Sequence, residues 1–324
     1  MSIPSVPPDP YSPPVSTPAP APPTPPVDPG PVVVTPPATP PTPDPTLPLR
    51  TSSTIQGNVL AAFNKDHQSF RLLTFPPDPA RARQWLTEMV PQLAVTEKVE
   101  TWNEEFSAAR KTNGGVDPAG MVISWLALSL TAAGIELLAA DPQVAGDLAA
   151  ITGLVEGPAA RAAALGDVGA SDPSTWLFGG PTQPVIHAVV TIAADVVSDL
   201  DAHTTALEIL EASQEVTAAF VQDGNTLPGD QAGHEHFGFR DGISQPGVVG
   251  FHAPGADGAR TGHPGTALVA GGNFVFGQPT DTGAPRPAAG WLTDGSVHVL
   301  RRLEQNVPAW SAQPGSTAQV PWWC

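Results

Sequence analysis

From about residue 54 onward, apolar side chains follow two patterns that alternate along the chain. Short apolar runs predict strands over residues 70–75, 121–128, 184–192 and 215–222. Longer stretches with apolar positions three and four apart predict helices over residues 80–90, 131–139 and 195–212. Residues 142–173 are rich in Ala and Gly and predict a mixture of helix and loop.

The order of these elements indicates the fold class. Strands that alternate with helices, with one long insertion, fit an α+β sandwich in which helices cover one face of a sheet. The order resembles the ferredoxin-like βαββαβ unit, which we expect to be complete over residues 54–225. Pro79 follows an aspartate and is favoured in the first turn of the next helix, whose predicted inward side chains are Trp85, Leu86 and Met89.

The first fifty residues have a different composition. About half of the 41 prolines lie there, in repeated Pro-Pro and Thr-Pro steps. Proline removes a backbone donor and fixes φ, so this segment favours extended polyproline conformations and cannot fold on itself. We predict a disordered tail over residues 1–50; a spacer or a docking peptide for a partner is the alternative.

Charge and cysteine content narrow the possible partners. A formal net charge of −17 argues against nucleic acid and anionic membranes, which need a basic surface. The one cysteine, Cys324, permits no disulfide framework and disfavours a thiolate-bound cofactor.

Without a visible secretory signal we expect a cytoplasmic protein, or one exported without a recognisable signal. In the apolar run 121–140, Gly134 and Glu136 favour a buried strand followed by a helix over a membrane span.

Glycines and titratable side chains are most concentrated in residues 229–247, which hold five glycines, two histidines and four ionised side chains. The segment has no helical or strand periodicity, so it is predicted to be an ordered loop, where binding and catalytic groups concentrate. Asp241, beside apolar Phe239 and Ile243, would be partly desolvated, which raises the pKa of a carboxyl group. Such a carboxylate can act as a general acid–base, although capping a turn is the plainer role.

Three stretches carry a resemblance to a known family. The run GDQAGHEHFGFRDGISQPGV, residues 229–248, closely resembles the signature loop of dye-decolorizing peroxidases, haem enzymes defined by a GxxDG motif. It is most similar to the branch best known from fungi. IQGNVL at residues 55–60 is similar to the opening segment of the family. GWLTDGS at residues 290–296, followed by RRLEQNVP at 301–308, resembles the strand that opens its second domain.

The resemblance, which covers roughly residues 54–310, implies a function and a cofactor. It implies that hydrogen peroxide oxidises dyes or phenolic reductants at haem b, with Asp241 moving the proton between the peroxide oxygens. The cofactor contacts that it implies are Phe239, Asp241, Gly242, Ile243, Ser244 and Gln245. It also implies two ferredoxin-like units side by side, of which residues 291–324 would hold only the first strand of the second, after a connection over 226–290.

The end of the chain departs from the family pattern. In the family, the histidine that holds the iron and a distal arginine both lie well downstream of the GxxDG loop, so we expect both beyond Cys324. Residues 313–324 resemble nothing in the family and suggest an out-of-frame end. The chain as given is therefore expected to bind haem poorly. A non-catalytic fragment, or an acidic domain that binds a partner, is the alternative function.

The remaining histidines and tryptophans offer weaker possibilities. His234 and His236 could bind zinc with Asp230 or Glu235, as in a metal-dependent hydrolase, but are better explained as loop structure. No other histidine is favoured as the iron ligand; those considered were His187, His252, His263 and His298. Trp291 and Trp310 could relay oxidising equivalents, although a packing role is the commoner one for Trp.

Overall fold

The structure is a computed structural model, and it describes residues 44–240, 246–253, 268–285 and 289–312. The strands of its main sheet and three of its helices lie close to the predicted ones. In chain order, the helices and strands are α1 (Gly57–Leu60), β1 (His67–Thr74), α2 (Pro79–Met89), α3 (Thr96–Thr112), β2 (Ser124–Leu130), α4 (Ala132–Leu138), α5 (Gln143–Ala149), α6 (Gly157–Ala160), α7 (Ala162–Leu165), β3 (Ala188–Ala194), α8 (Val197–Ser213), β4 (Thr217–Asn225), β5 (Gly247–Val248), β6 (Leu268–Val269) and α9 (Val307–Ser311).

Four of the strands form one antiparallel sheet. Their order across the sheet is β2-β3-β1-β4, so that β1 and β3 lie in the centre. With helices between β1 and β2 and between β3 and β4, this is the βαββαβ arrangement predicted from the sequence. The predicted α+β class and ferredoxin-like order are confirmed.

Local signals place the helices that flank the sheet. The Asp78 side chain accepts a hydrogen bond from the Ala80 backbone N–H, which caps α2 at the proline predicted to begin it. Thr131 caps α4 in the same way, through Gly134 N–H. Of the side chains predicted to face inward from α2, Trp85 and Met89 are buried.

One face of the sheet packs against α2 and α8. Alternate strand residues point to this face and form a core cluster with the two helices. Its buried members are Leu73, Phe75, Ala82, Trp85, Met89, Leu126, Leu128, Ala188, Val190, Ile192, Ala194, Leu200, Leu207, Leu210 and Val216. This cluster is the main hydrophobic core of the α+β unit.

A second cluster forms around Trp125, whose side chain points away from that of its neighbour Leu126. It brings together α1, α3 and parts of the segment that follows β4. Its buried members are Leu49, Ile55, Ala61, Ala94, Val99, Trp125, Val248, Phe251 and Val275. The connection predicted over residues 226–290 therefore shares a core with the α+β unit.

The packed part of the chain begins earlier than the predicted end of the tail. Leu47 and Leu49 are buried, and Leu49 N–H donates to Gly250 O at 2.9 Å. The Arg50 Nε atom donates to Phe251 O at 2.6 Å. Residues 44–50, predicted as part of the disordered tail, thus dock against residues 250–251, because two leucines among the last prolines supply buried apolar surface.

Residues 295–303 lie within the segment that resembles the opening strand of a second domain, and they pair with no strand in the described part of the chain. The segment is extended, and side chains tie it to the α+β unit: His298 Nδ1 lies 2.9 Å from Ser129 Oγ, and Arg302 Nε donates to Gln222 Oε1 at 2.7 Å. A strand is defined by its ladder of hydrogen bonds, and in the described part of the chain this segment has none.

The apolar run over residues 121–140 folds as strand β2 followed by helix α4, as predicted. Among the described helices, none is long and apolar enough to cross a membrane.

Candidate functional site

The motif segment is described up to residue 240 and again from residue 246. Of the predicted site residues, Phe239 lies within the described chain, where 42% of its surface is exposed. The other five lie outside the described residues: Asp241, Gly242, Ile243, Ser244 and Gln245. What the structure shows is how the chain is held on both sides of them.

Before the motif aspartate, the chain forms a small closed hairpin. His234 and Arg240 face each other as an antiparallel bridge, and Glu235 N–H donates to Phe239 O at 2.9 Å. A tight turn closes the hairpin through a bond of 2.9 Å from Gly238 N–H to Glu235 O. Gly238 has φ of 93°, a left-handed conformation that side-chain-bearing residues rarely adopt. We call residues 234–240 the motif hairpin.

The Glu235 carboxylate lies at the centre of the motif hairpin. Its Oε2 accepts from Phe237 N–H at 2.8 Å, and its Oε1 accepts from Phe239 N–H at 2.8 Å. The Gln305 side-chain amide also donates to Oε2. Desolvation raises the pKa of Glu235, but these hydrogen bonds outweigh it, so the pKa lies below its usual value.

Aromatic side chains make a second contact between the motif hairpin and the segment after residue 305. The Trp310 ring centroid lies 5.1 Å from that of Phe237 and 5.8 Å from that of Phe239. Trp310 belongs to helix α9, which Asn306 caps by accepting from Ala309 N–H at 3.0 Å. One hydrogen bond and two aromatic contacts therefore join the hairpin to residues 305–310.

After the motif, the chain is anchored in the core. Gly247 and Val248 pair in parallel with Leu268 and Val269, and Val248 is buried in the second cluster. The Val248 N–H group donates to His252 Nδ1 at 2.9 Å. The chain is thus held on both sides of the motif, by the motif hairpin before it and by strand β5 after it.

The histidines do not form a metal centre in the described chain. His234 Nδ1 lies 3.3 Å from Ala232 O, a local loop contact. No group of three or more His, Cys, Asp or Glu side chains placed to hold a metal ion occurs among the described residues. Within that part of the chain, the zinc alternative at His234 and His236 gains no third ligand.

A cavity of about 570 Å³ lies between the end of α5 and the segment around residues 273–297. This volume is within the range of small-molecule pockets. The cavity is lined by Asp147, Ala150, Ile151, Thr152, Asn273, Phe274, Phe276, Ala289, Leu292, Ser296 and Val297. None of these side chains is of a type that ligates haem iron.

Two of the histidines considered as iron ligands, His187 and His298, contact protein atoms through a ring nitrogen. Phe75 N–H donates to His187 Nδ1 at 3.1 Å, and His298 Nδ1 lies 2.9 Å from Ser129 Oγ. Burial lowers the pKa of both imidazoles. No iron ligand is assigned to any described residue.

The two tryptophans singled out in the sequence are partly exposed. Trp291 Nε1 donates to Asp147 Oδ2 at 2.8 Å at the rim of the cavity, and Trp310 packs on the motif hairpin. Both have surface contact with solvent, with 45% and 36% exposure. A relay role for either tryptophan stays a prediction.

Sequence reasoning did not find the roles of Glu235 and Gln305. Glu235 precedes Phe237 and Phe239 by two and four positions, with Gly238 between them, and this spacing is a local signal for a side chain that caps its own turn. Gln305 carries no such signal, because its partner lies 70 positions away in the chain.

The chain is similar to proteins of one family. Residues 54–228 match the family model of the DyP dimeric alpha+beta barrel domain. Peroxidase 2 of Mycetinis scorodonius is 28% identical over 257 residues, which are 78% of this chain and 43% of that protein. Dye-decolorizing peroxidase msp1 of the same organism is 38% identical over 142 residues, which are 43% of this chain and 26% of that protein.

Solved structures agree with these matches. A dye-decolorizing peroxidase in complex with 2,6-dimethoxyphenol is 29% identical with a TM-score of 0.56, over 76% of this chain and 48% of its own. An ancestral D-type dye-decolorizing peroxidase is 25% identical with a TM-score of 0.58, over 77% of this chain and 48% of its own. This chain spans about half the length, or less, of these relatives.

Proposed function

This chain belongs to the dye-decolorizing peroxidase family, and from that premise we propose that the protein uses hydrogen peroxide to oxidise dyes or phenolic compounds. The observation that carries the proposal is the family match over residues 54–228, which includes the whole sheet from β1 to β4. The motif loop follows directly after the matched domain. A phenolic reductant is further supported by the relative that is described in complex with 2,6-dimethoxyphenol.

We propose haem b as the cofactor. When bound, haem supplies the redox chemistry that cleavage of the peroxide bond requires. The contacts proposed from the motif are Phe239, Asp241, Gly242, Ile243, Ser244 and Gln245. The axial histidine and the distal arginine are assigned to no described residue.

Asp241 is the proposed acid–base group. Its carboxylate takes a proton from one oxygen of hydrogen peroxide and returns it to the other oxygen. A carboxylate can accept a proton at acid pH, where an imidazole is already largely protonated. The anchoring of residues 240 and 247 supports this role, because a group that moves a proton must be held within hydrogen-bond reach of its target.

The proposal is tested on the protein as its natural host makes it, isolated with the haem that it carries. We expect 2,6-dimethoxyphenol and an anthraquinone dye to be oxidised only when hydrogen peroxide is added. The same assay after removal of haem should show no oxidation. Haem-loaded protein that oxidises neither compound would refute the proposed function.

A further inference from the structure

The cavity beside α5 has a single charge in its wall. Among the described residues that line it, Asp147 carries a carboxylate, and there is no lysine, arginine or histidine. The Asp147 Oδ2 atom accepts a hydrogen bond from Trp291 Nε1 at 2.8 Å, which holds the side chain at the rim. An ionised carboxylate accepts hydrogen bonds at both oxygens, and this bond takes up Oδ2 and not Oδ1.

The uncharged polar groups of the wall also present acceptors. The Ser296 hydroxyl donates its hydrogen to Phe274 O at 2.7 Å, so its oxygen is left to accept a bond from a ligand. The Asn273 amide donates from Nδ2 to Asp281 Oδ2 at 3.1 Å, which leaves the carbonyl oxygen Oδ1 as an acceptor. The polar part of the wall therefore suits a ligand that donates hydrogen bonds.

The rest of the wall is apolar and partly aromatic. Phe276 is 4% exposed and Phe274 is half-buried, and Ile151, Leu292 and Val297 complete the apolar lining. Aromatic side chains pack well against another ring, and the faces of their rings attract cations. An apolar wall with a few converging polar groups is typical of small-molecule sites.

We propose that this cavity binds an organic ammonium cation that carries an aromatic ring, with the ammonium group at Asp147 and the ring against Phe274 and Phe276. An ammonium group offers up to three donors and a positive charge, which match the acceptors and the carboxylate. The Arg161 guanidinium lies against Gly153, next to this site, but is not part of the wall. The inference does not depend on the proposed peroxidase function.

The test uses the whole 324-residue chain and three probes of similar size and different charge: phenethylamine, 2-phenylethanol and 3-phenylpropionate. Binding is followed by ¹⁵N NMR through the assigned indole N–H signal of Trp291, whose partner is Asp147. Salt at about 0.15 M screens the attraction of distant charges. We expect phenethylamine to bind about tenfold more tightly than 2-phenylethanol, and 3-phenylpropionate to bind most weakly. This comparison uses the unaltered chain, so it stays valid if a variant fails to fold.

Asp147→Asn removes the charge but keeps the shape of the side chain and an acceptor for Trp291. It should weaken the binding of phenethylamine about tenfold and change that of 2-phenylethanol less than about twofold, since hydrogen bonds to charged groups are the stronger ones. The matched control is Glu156→Gln, which removes an exposed carboxylate outside the wall and should change neither affinity. Phe274→Leu should weaken the binding of both probes alike, because both use the ring.

Two results would overturn the proposal. One is a chain that binds phenethylamine no more tightly than 2-phenylethanol, or that binds neither. The other is an equal loss of phenethylamine binding in Asp147→Asn and Glu156→Gln, since the net charge of −17 would then attract the cation without a site. Both measurements are of binding and not of turnover, so a failure of the proposed peroxidase function would be seen separately, in the dye assay.

Discussion

A buried ion pair joins the sheet to its long helix. The Arg71 guanidinium in β1 has 4% exposure and meets the Glu211 carboxylate of α8 in two bonds, Nε–Oε1 at 3.0 Å and Nη2–Oε2 at 2.7 Å. The Glu211 hydrogen bonds raise the pKa of Arg71. A pair of this kind stabilises little compared with an apolar pair, but removing one partner leaves a buried charge unpaired.

Arg71→Ala should therefore destabilise the protein strongly. The expected loss in the free energy of unfolding is about 3–5 kcal/mol, because Glu211 would remain buried without a partner. Arg81→Ala is the control: Arg81 pairs with Glu215 at 3.2 Å, but both side chains are exposed. That substitution should cost at most about 1 kcal/mol. Urea denaturation measures the free energy of unfolding of both variants. Equal losses in the two variants would show that burial does not determine the cost of breaking an ion pair.

At the scale of single elements, α4 packs unusually close to the chain that leads into β3. Gly134, in the first turn of α4, lies so near this chain that an added Cβ would be 2.0 Å from His187 O. The opposing atom is a backbone carbonyl, which cannot rotate away. The glycine is needed there for space, since no left-handed conformation is involved.

Gly134→Ala is expected to destabilise the protein by about 1–3 kcal/mol, the usual cost of overpacking. Gly146→Ala in α5 is a matched control, since the added Cβ would meet only the Gln143 side chain, at 3.4 Å. An alanine there should be neutral or should stabilise the protein by up to about 1 kcal/mol, because glycine weakens helices. Thermal unfolding compares the stabilities of the two variants. A Gly134→Ala protein as stable as the unaltered one would contradict the close packing of α4 on the chain at His187.

The sequence predicted β2 and β3 most directly, because each holds consecutive apolar side chains that the fold buries. Helix α3 was not predicted: only Thr96 and Val99 of its 17 residues are buried, so it has little apolar periodicity. The segment over residues 295–303 shows the converse. The family resemblance predicts a strand there, yet Val299 and Leu303 are exposed, because pairing depends on a partner that local pattern does not contain.

In the candidate site, too, the sequence predicts the local features but not the contacts between distant parts of the chain. The GxxDG motif and its aspartate are local features that resemblance could identify. The anchoring of the motif is not local: Gln305 and Trp310 reach Glu235 and Phe237 only after the chain has folded. Spacing in the sequence cannot predict such contacts.

At the scale of the whole molecule, residues 44–50 and the segment after the motif are held together. Leu49 and Phe251 are buried in the same cluster as Trp125 of the sheet. The N-terminal segment thus stabilises the chain that follows the motif, and the predicted boundary at residue 50 does not coincide with a boundary in packing.

Limited proteolysis should reveal this arrangement. Trimming from the N-terminus is expected to stop before Leu47, since burial protects the backbone from cleavage. Mass spectrometry of the trimmed protein gives its first residue. A stable core that begins near Ser53, without the two leucines, would contradict the docking of residues 44–50.

The account as a whole depends on one proton transfer, and Asp241→Asn tests it most directly. The amide keeps the shape of the side chain but cannot carry the proton. In haem-containing protein from the natural host, rapid mixing with hydrogen peroxide measures how fast the haem absorbance changes. We expect Asp241→Asn to slow this reaction by about 10²–10⁴-fold, with haem affinity little changed. The control is Asp223→Asn, which alters an exposed carboxylate of β4 and should react as the unaltered protein does. An Asp241→Asn protein that reacts with peroxide at the unaltered rate would contradict the account.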